Sequence, residues 1–346
     1  MPCAMLGTVP RTKVAARKST KSRPRRTERL PRVVQPELAT LVDAAFDDDD
    51  WFFEIKWDGF RALTTIHEDG RVEIVSRNGK DFLARFPELA SLAQSFTDAP
   101  IVVDGEIVAL DAKGNSSFQL LQNRMGAKAR VRYVVFDVLY AGGRDLRAEP
   151  LEKRKEVLAR IVRPRARDAV YSAHVVGKGT ALFADAQARG LEGIVAKRRS
   201  SPYLEKRTRD WLKIKVELEQ ECVVAGYTAP GGARQGFGAL VLGLYEGGRF
   251  VYCGQVGTGF DASTLRMLMA KLAPLAARES PFALPLKTRT AVQWVRPELV
   301  AQVRFTEWTN DGAMRHPVYL GLRDDKSPRD CHRERPLPVL PVATPP

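Results

Sequence analysis

The sequence predicts an α+β domain over residues 35–217, followed by a small antiparallel β-barrel over residues 218–330. Two patterns support this division. Up to Lys215, short strands of alternating apolar and polar residues are mixed with helical stretches, which is typical of antiparallel pairs with intervening helices. After Glu217, short strands are separated by glycine-rich turns. The chain has 346 residues, 44% of them hydrophobic, and is long enough for two or three domains with proper cores.

The first domain is expected to contain seven strands and three helices. Strands are predicted at residues 52–56, 60–66, 71–76, 101–110, 132–139, 193–197 and 210–215. Helices are predicted at residues 85–95, 151–162 and 180–189, and Gly190 ends the last one. The run Asp47–Asp50 is predicted to be a solvated loop and not a metal site, because nothing in the sequence orders it.

The second domain is expected to contain about five strands and one helix. Strands are predicted at Glu221–Tyr227, Ala239–Glu246, Phe250–Val256 and Ala301–Thr309. The helix is predicted over Ala262–Leu275, with Asp261 as its N-cap. This content fits a Greek-key barrel of the OB type.

Both termini are expected to be disordered. Residues 1–34 hold ten Lys and Arg and one acid, a net charge of +9 out of +14. Such an arm can contact nucleic-acid phosphates without sequence preference, or can be a solubilising or start-site extension. An organelle transit peptide is a less favoured interpretation. The proline-rich residues 331–346 are predicted to be a flexible tail.

Composition limits the classes of function. The net charge of +14 favours a polyanionic partner, and nucleic acid is the first candidate. Four scattered cysteines argue against a zinc ribbon and a disulfide framework and suit a reducing cytosol. No apolar run approaches the length of a membrane span, so a soluble protein is expected. The sequence has no Gly-x-x-x-x-Gly-Lys-Ser/Thr loop, which argues against a P-loop NTPase.

Lys56 is the candidate nucleophile. It lies in Phe-Phe-Glu-Ile-Lys-Trp-Asp-Gly-Phe-Arg, where apolar and charged residues alternate up to the Asp58-Gly59 turn. A lysine on the polar face of such a strand can attack phosphorus as the neutral amine, if its surroundings lower its pKa. The alternative is a solvent-facing lysine beside a hairpin turn.

Charged residues interrupt several other apolar strands. One such residue is usually part of an ion pair or an exposed strand face, but a set on five separate strands suggests a cleft for phosphates and a hard cation. In this interpretation, Glu106 and Glu192 bind the metal, and Phe136 stacks on a base. The proposed phosphate ligands are Lys197, Lys213 and Lys215.

These motifs, in this order, resemble those of the covalent nucleotidyltransferases, and among them the ATP-dependent DNA ligases. The resemblance is strongest to the ligase module of the bacterial end-joining ligases, and it covers about residues 36–328. It rests on six motifs: Lys56-Trp-Asp-Gly-Phe-Arg61, Ser-Arg77-Asn-Gly-Lys, Asp-Gly-Glu106-Ile-Val, Phe136-Asp137, Glu192-Gly-Ile-Val-Ala-Lys197 and Trp211-Leu-Lys213-Ile-Lys215. In the second domain, Arg304–Thr309 and Arg315–Lys326 resemble the last motif of the end-joining ligases.

The resemblance implies a role for each of these residues. Lys56 takes AMP as a phosphoramidate, Glu54 helps to recognise adenine, and Phe136 packs on it. Arg77 lies near the ribose and the DNA 5′-phosphate, and Glu106 near the ribose and the metal. Glu192 binds the metal, whereas Arg323 and Lys326 orient the leaving pyrophosphate. The remaining nucleotide ligands are Arg61, Lys197, Lys213 and Lys215.

The resemblance also implies an architecture and a reaction. A nucleotidyltransferase (adenylation) domain precedes an OB-fold β-barrel that moves about a hinge near Val216–Gln220. The enzyme uses ATP with Mg²⁺ or Mn²⁺ and seals nicks or ends in duplex DNA, as a monomer in the bacterial cytoplasm at the nucleoid. A Ku-like end-binding protein is a possible partner. The alternatives are an RNA ligase, a capping-type guanylyltransferase, or a non-catalytic OB-fold nucleic-acid binder.

Overall fold

The computed structural model describes residues 29–31, 35–122, 129–231, 236–286 and 290–339. The first eleven strands are β1 (Leu38–Leu41), β2 (Trp51–Ile55), β3 (Phe60–Ile66), β4 (Val72–Ser76), β5 (Ile101–Leu110), β6 (Arg130–Ala141), β7 (Arg144–Asp145), β8 (Ala169–Tyr171), β9 (His174–Val176), β10 (Gly193–Arg198) and β11 (Arg207–Lys215). The others are β12 (Leu218–Thr228), β13 (Leu240–Glu246), β14 (Arg249–Val256), β15 (Ala276–Ala277), β16 (Val292–Val295), β17 (Val300–Phe305), β18 (Glu307–Trp308), β19 (Met314–Arg315) and β20 (Val318–Leu322). The α-helices are α1 (Phe118–Gln122), α2 (Leu151–Ile161), α3 (Gly179–Ala188) and α4 (Ala262–Leu272).

Strands β1–β11 form two sheets, which we call the first region. One has six strands in the order β4-β3-β5-β6-β7, with β8 beside β6. The other has five strands in the order β1-β11-β10-β2-β9. Strands β5 and β6 of the six-stranded sheet bury nearly every side chain, because their sequences are largely apolar. The five-stranded sheet carries Glu54, Lys197, Lys213 and Lys215, and Lys56 and Glu192 directly flank its strands β2 and β10.

All seven strands predicted for this region are present, and β3 and β5 have the predicted bounds. The predicted helix at residues 85–95 is wrong. Two 3₁₀ turns, Pro87–Leu89 and Leu92–Ser95, replace it. They bury Leu89 and Leu92 and then let the chain extend so that Phe96 pairs with Val162.

Strands β12–β20 form the second region. The main sheet has the order β14-β13-β12-β16-β15, and β17 pairs with both β12 and β20. Helix α4 begins at the predicted cap, where the Asp261 carboxylate accepts a hydrogen bond from the Thr264 amide at 2.7 Å. The strand predicted over Ala301–Thr309 is divided into β17 and β18. Strands β15, β16, β19 and β20 were not predicted from the sequence.

The two regions are in contact through the loop that follows β20. Gln122 donates a hydrogen bond to the Leu322 carbonyl at 2.7 Å, and Asn78 donates one to the Asp325 carbonyl at 2.9 Å. Arg85 forms an ion pair with Asp324. The last motif of the second region therefore lies against α1 and the segment that follows β4 in the first region.

Residues 331–339 also connect the regions, and we call them the C-terminal strap. Cys331 is buried in the core of the second region. Farther along, the Leu337 amide donates to the Leu41 carbonyl at 3.0 Å, beside a bridge between Leu337 and Val42. The prediction of a flexible tail is wrong for this segment. The partners that hold it belong to distant parts of the chain, and the local sequence does not indicate them. Residues 340–346 and, apart from 29–31, the predicted arm lie outside the described residues.

The loop before β2 is more ordered than its run of acids suggested. The Asp47 carboxylate accepts hydrogen bonds from the Thr180 amide at 2.8 Å and from its hydroxyl at 2.7 Å, at the start of α3. In the part of the chain that is described, no helix is both long and apolar enough to cross a membrane.

Candidate active site

Strands β2, β10 and β11 present their functional side chains in register. Val195 lies opposite Glu54 on one side and Lys213 on the other. Two residues farther along β10, Lys197 lies opposite Phe52 and Trp211. Since side chains alternate across a strand, residues two apart face the same cleft.

This cleft has a volume of about 760 Å³. All twelve site residues predicted from the sequence line it: Glu54, Lys56, Arg61, Arg77, Glu106, Phe136, Glu192, Lys197, Lys213, Lys215, Arg323 and Lys326. Because the last two belong to the second region, both regions contribute to the same cleft.

The turn after Lys56 depends on two residues. A side chain at Gly59 would place its Cβ 2.1 Å from the Ile107 carbonyl oxygen, so only glycine fits. The Asp58 carboxylate accepts a hydrogen bond from the Phe118 amide at 2.8 Å and so fixes the start of α1 against the turn. The Lys56 amide donates to the Gly193 carbonyl at 2.9 Å. The backbone of the candidate nucleophile is therefore held on both sides.

Lys56 forms an ion pair with Glu192, and the Lys56 side chain keeps 21% of its surface exposed. Burial opposes protonation of Lys56, but the charge and hydrogen bond of Glu192 outweigh it and raise the pKa of Lys56 above its ordinary value. Paired with Glu192, the lysine is thus a cation, and not the neutral amine that attack requires. Neutralising Glu192 is the change that would release this proton.

Further carboxyl groups surround Lys56. Burial raises the pKa of Glu106 to about 8, although Lys56, Arg61 and Arg323 lower it. Burial and the charge of Glu192 raise the pKa of Asp58 to about 6. No three His, Cys, Asp or Glu side chains within the described ranges converge as a set of metal ligands. Glu106 and Glu192 nevertheless suit a hard cation that takes its other ligands from phosphate and water.

The end of the cleft that is expected to receive the nucleotide base, which we call the base end, is built around Glu54. The Glu54 side chain is 2% exposed. Its carboxylate accepts hydrogen bonds from Lys155 at 3.0 Å and from the Ser172 hydroxyl at 2.9 Å. The Lys197 ammonium lies 3.2 Å from it. Burial would raise the pKa of Glu54, but Lys155 and Lys197 lower it below its ordinary value. Glu54 is therefore an ionised acceptor in a fixed orientation.

Lys197, which the motif implied as a phosphate ligand, contacts an acid and two aromatic rings. Its ammonium is 4.2 Å from the ring centroids of both Phe136 and Trp211, in addition to its contact with Glu54. Burial lowers the pKa of Lys197 to about 8, against the charge of Glu54. Lys197 thus belongs to the base end, where the flat rings lie.

Lys213 and Lys215 face the Lys56 end of the cleft and are both paired with acids. The Lys213 ammonium lies 2.5 Å from one Glu334 oxygen, and the Lys215 ammonium lies 3.9 Å from the other. Lys215 is also 3.8 Å from Glu192. Burial lowers the pKa of Lys213 to about 8, although Glu334 opposes this shift.

Two arginines of the cleft, Arg61 and Arg323, are held by acids. Arg61 donates two hydrogen bonds to Asp104, at 2.7 and 2.6 Å, and its guanidinium lies 4.7 Å from the Phe136 ring centroid. Arg323 donates two hydrogen bonds to Asp325, both at 2.8 Å.

The other two predicted cations, Lys326 and Arg77, also lie in the cleft. Lys326 is 2.9 Å from Glu221, which also faces the cleft. Arg77 lines the cleft as well.

Three residues of the site were missed by sequence reasoning: Lys155, Ser172 and Glu334. Lys155 carried a readable signal, because α2 buries Leu151, Lys155 and Leu158, which fall on one helical face. Ser172 and Glu334 lie in segments without a periodic pattern, and nothing in their local sequence connects them with the cleft.

Comparison with known proteins identifies the family. Residues 36–215 match the ATP dependent DNA ligase domain family, and residues 233–326 match the ATP dependent DNA ligase C terminal region. The multifunctional non-homologous end joining protein LigD of Pseudomonas aeruginosa is 40% identical over 321 residues, which are 90% of this chain and 38% of that protein. DNA ligase C of Mycobacterium tuberculosis is 32% identical over 349 residues, covering 88% of this chain and 95% of that protein.

A solved structure leads to the same family. The mycobacterial DNA ligase D complexed with ATP and MES superposes with a TM-score of 0.65 at 36% identity, covering 87% of this chain and 98% of that chain. The present chain spans less than two fifths of the length of the LigD proteins of Pseudomonas and some mycobacteria, but most of the length of DNA ligase C. Together with a cleft lined by all six motifs, these matches show that the chain belongs to the ATP-dependent DNA ligase family.

Proposed function

We propose that the cleft seals breaks in duplex DNA through a covalent lysyl-AMP on Lys56 and a DNA-adenylate intermediate. The observation that carries this proposal is the position of Lys56 in a cleft lined by Glu106, Glu192, Lys213 and Lys215. A nucleophile, two carboxylates and two cations at one end of a cleft are what phosphoryl attack by lysine requires. The ionised Glu54 and the Phe136 ring at the other end suit a purine with an exocyclic amine.

The proposed reaction has three transfers. First, the Lys56 nitrogen forms a bond to the α-phosphorus of ATP, and the bond from that phosphorus to the pyrophosphate oxygen breaks. Second, a 5′-phosphate oxygen of DNA takes the AMP from Lys56. Third, the 3′-hydroxyl attacks the 5′-phosphorus, and AMP leaves with the bridging oxygen.

Individual residues have distinct tasks in the first transfer. Lys213 and Lys215 neutralise the phosphates, and Arg323 and Lys326 from the second region orient the pyrophosphate as it leaves. Arg61 and Arg77 hold the nucleoside side of the substrate. A Mg²⁺ or Mn²⁺ ion at Glu106 and Glu192 would supply positive charge to the phosphate oxygens and neutralise Glu192, which lowers the pKa of Lys56.

We expect the two regions to separate for the later transfers, since the loop after β20 lies against the first region and lines the cleft that DNA has to reach. We propose a division into an adenylation domain at residues 35–217 and an OB-type barrel at residues 218–330, with the hinge near Val216–Gln220. Antiparallel strands β12, β13, β14 and β17 with one long helix support the barrel assignment.

The proposed setting is DNA repair by end joining, in the bacterial cytoplasm at the nucleoid. Support comes from the resemblance to the LigD proteins, whose names state non-homologous end joining. The chain would act as a monomer on nicks or ends in duplex DNA, with a Ku-like end-binding protein as a possible partner.

The decisive test is the intact mass of the protein before and after incubation with ATP and Mg²⁺. The protein is first treated with pyrophosphate to remove any AMP that it already carries. We expect wild type and the control Lys113→Ala, at an exposed loop lysine, to gain one AMP, and Lys56→Ala to gain none. Lys56→Ala should still join pre-adenylated nicked DNA. Full sealing by Lys56→Ala from ATP, or no gain of mass in wild type, refutes the proposal, and a nicked RNA duplex tests the RNA-ligase alternative.

A further inference from the structure

The C-terminal strap places a carboxylate between two cations that the proposed reaction needs. Glu334 lies 2.5 Å from the Lys213 ammonium and 3.9 Å from the Lys215 ammonium. The Lys213 and Lys215 side chains are only 15% and 8% exposed. Burial alone would raise the pKa of Glu334, but Lys213 and Lys215 lower it to about 2, so Glu334 is an anion.

The strap is anchored on both sides of this contact. On the side of the second region, Arg333 forms an ion pair with Glu246 at 2.5 Å and stacks on Trp308. On the side of the first region, Arg209 donates a hydrogen bond to the Pro338 carbonyl at 3.0 Å. Glu334 is thus delivered to the cleft by a segment that crosses from one region to the other.

The backbone of the strap also contacts the proposed hinge. The Gln220 side chain donates to the His332 carbonyl at 2.9 Å and accepts from the Glu334 amide at 3.0 Å. Rotation about residues 216–220 would therefore move Glu334 relative to Lys213. The position of this carboxylate is linked to the arrangement of the two regions.

A nucleotide phosphate and the Glu334 carboxylate have the same chemistry toward these lysines, since both are anions that accept hydrogen bonds from ammonium groups. Lys213 is nearly buried, and the strap covers it from the cleft side. A phosphate oxygen can take the place of the Glu334 oxygen, but the two cannot occupy the same position 2.5 Å from Lys213. A triphosphate that uses this donor of Lys213 has to break the ion pair with Glu334, and the like charges of carboxylate and phosphate favour that exchange over binding side by side.

We propose that Glu334 is a positioning residue that occupies a phosphate position beside Lys213 and Lys215 and is exchanged for phosphate when ATP binds. This inference rests on the proposed function, because it assumes that Lys213 and Lys215 receive the nucleotide phosphates. Its first consequence is that ATP binds more weakly than it would to an uncovered lysine pair, because the competent state is only a fraction of the total. Its second consequence is that Glu334 competes with pyrophosphate after AMP transfer and so opposes reversal of the first step.

The test compares Glu334→Gln with wild type and with Glu246→Gln. The control removes a carboxylate charge from another ion pair of the strap, on the side away from the lysines. We expect Glu334→Gln to lower the KM for ATP in self-adenylylation by about tenfold, with kcat little changed, since one charge-assisted contact no longer competes. Release of AMP from Lys56 at low pyrophosphate should accelerate by a similar factor, whereas Glu246→Gln should resemble wild type.

A shorter carboxylate and a binding experiment complete the test. Glu334→Asp should give a KM between those of wild type and Glu334→Gln, because the charge is kept but its reach is reduced. Inorganic tripolyphosphate alone should increase hydrogen exchange in the strap of wild type. An unchanged or higher KM in Glu334→Gln, or equal effects in both Gln variants, overturns the inference. If wild type takes up no AMP, the proposed function itself fails, so the two failures are distinguishable.

Discussion

Replacing Lys155 with methionine tests whether the base end of the cleft depends on a buried cation. Lys155 and Glu54 are each 2% exposed, and their charged groups are 3.0 Å apart. The Lys155 ammonium also donates to the Ser172 carbonyl at 2.8 Å and, more weakly, to the Phe136 carbonyl at 3.4 Å. Lys155→Met keeps the length of the side chain and removes its charge and its hydrogen bonds.

The expected loss of stability follows from what remains around Glu54. Removing one partner of a buried ion pair typically costs ~3–5 kcal/mol, because the other charge stays buried without compensation. Here Lys197 at 3.2 Å and the Ser172 hydroxyl at 2.9 Å still face Glu54. We therefore expect a loss of about 2–3 kcal/mol, below the full value for an isolated pair. For a chain of this size, that is a fall in Tm of roughly 5 °C.

The assay is thermal unfolding of Lys155→Met beside Lys153→Met, a control on the same helix. Lys153 pairs with Glu156, and both side chains are more than half exposed, so the control should leave the Tm unchanged. Lys155→Met should also raise the KM for ATP, since Glu54 is no longer fixed as an acceptor.

The dependence of the Tm on pH tests whether the loss of stability comes from the charge of Glu54. A carboxyl with a lowered pKa stabilises the fold above its ordinary pKa of 4.5, and this contribution is lost as the pH falls through the lowered value. Lys155→Met weakens that contribution, so the difference in Tm should be largest near neutral pH and should narrow below about pH 4.5. A Tm equal to that of Lys153→Met, or a difference independent of pH, refutes the reasoning.

Two further predictions concern the proposed metal site. Glu192→Ala should reduce AMP transfer by at least a hundredfold without changing the Tm by more than a few degrees, and titration with Mg²⁺ should not restore the rate; full restoration contradicts the role of Glu192. Because burial raises the pKa of Glu106 to about 8, despite Lys56, Arg61 and Arg323, its carboxyl holds a proton at neutral pH that a cation has to displace. The apparent affinity for Mg²⁺ in self-adenylylation should therefore rise with pH up to about 8 and level off above it, and Glu106→Gln should lose this slope; the same slope in both proteins would exclude Glu106 as its source.

Strands and motif residues were accessible from the sequence because their patterns are local. Alternation along β2, β10 and β11 placed Glu54, Lys56, Lys213 and Lys215 on one face, and all four line the cleft. Glu106 was found as a charge that interrupts the apolar strand β5, whereas Arg77 came only from the order of the motifs. The motif placed Lys197 in this cleft but did not indicate its contacts with Glu54 and Trp211, and its role as a phosphate ligand stays a prediction.

What was missed depends on partners far away in the sequence. Glu334 contacts Lys213 across 121 residues, and its own segment is rich in proline, so composition alone indicated a tail. Lys155 falls on the buried face of α2, but nothing near it in the sequence indicates its partner Glu54, which lies about 100 residues away. The segment 85–95 has apolar spacing that suits a helix, yet the need to pair Phe96 with Val162 divides it into two turns.

The pairing of β2 with β10 has a consequence for folding. Strands β3–β7 all fall within residues 60–145 and pair mainly with near neighbours in the chain, whereas Ile55 pairs with Ile194, about 140 residues away. Closing so long a loop costs more entropy than closing a hairpin, and pairings of high contact order form slowly. Strands β3–β7 can therefore pair while the residues of the nucleotide cleft are still unfolded. Only molecules in which β2 has also paired with β10 are able to take up ATP.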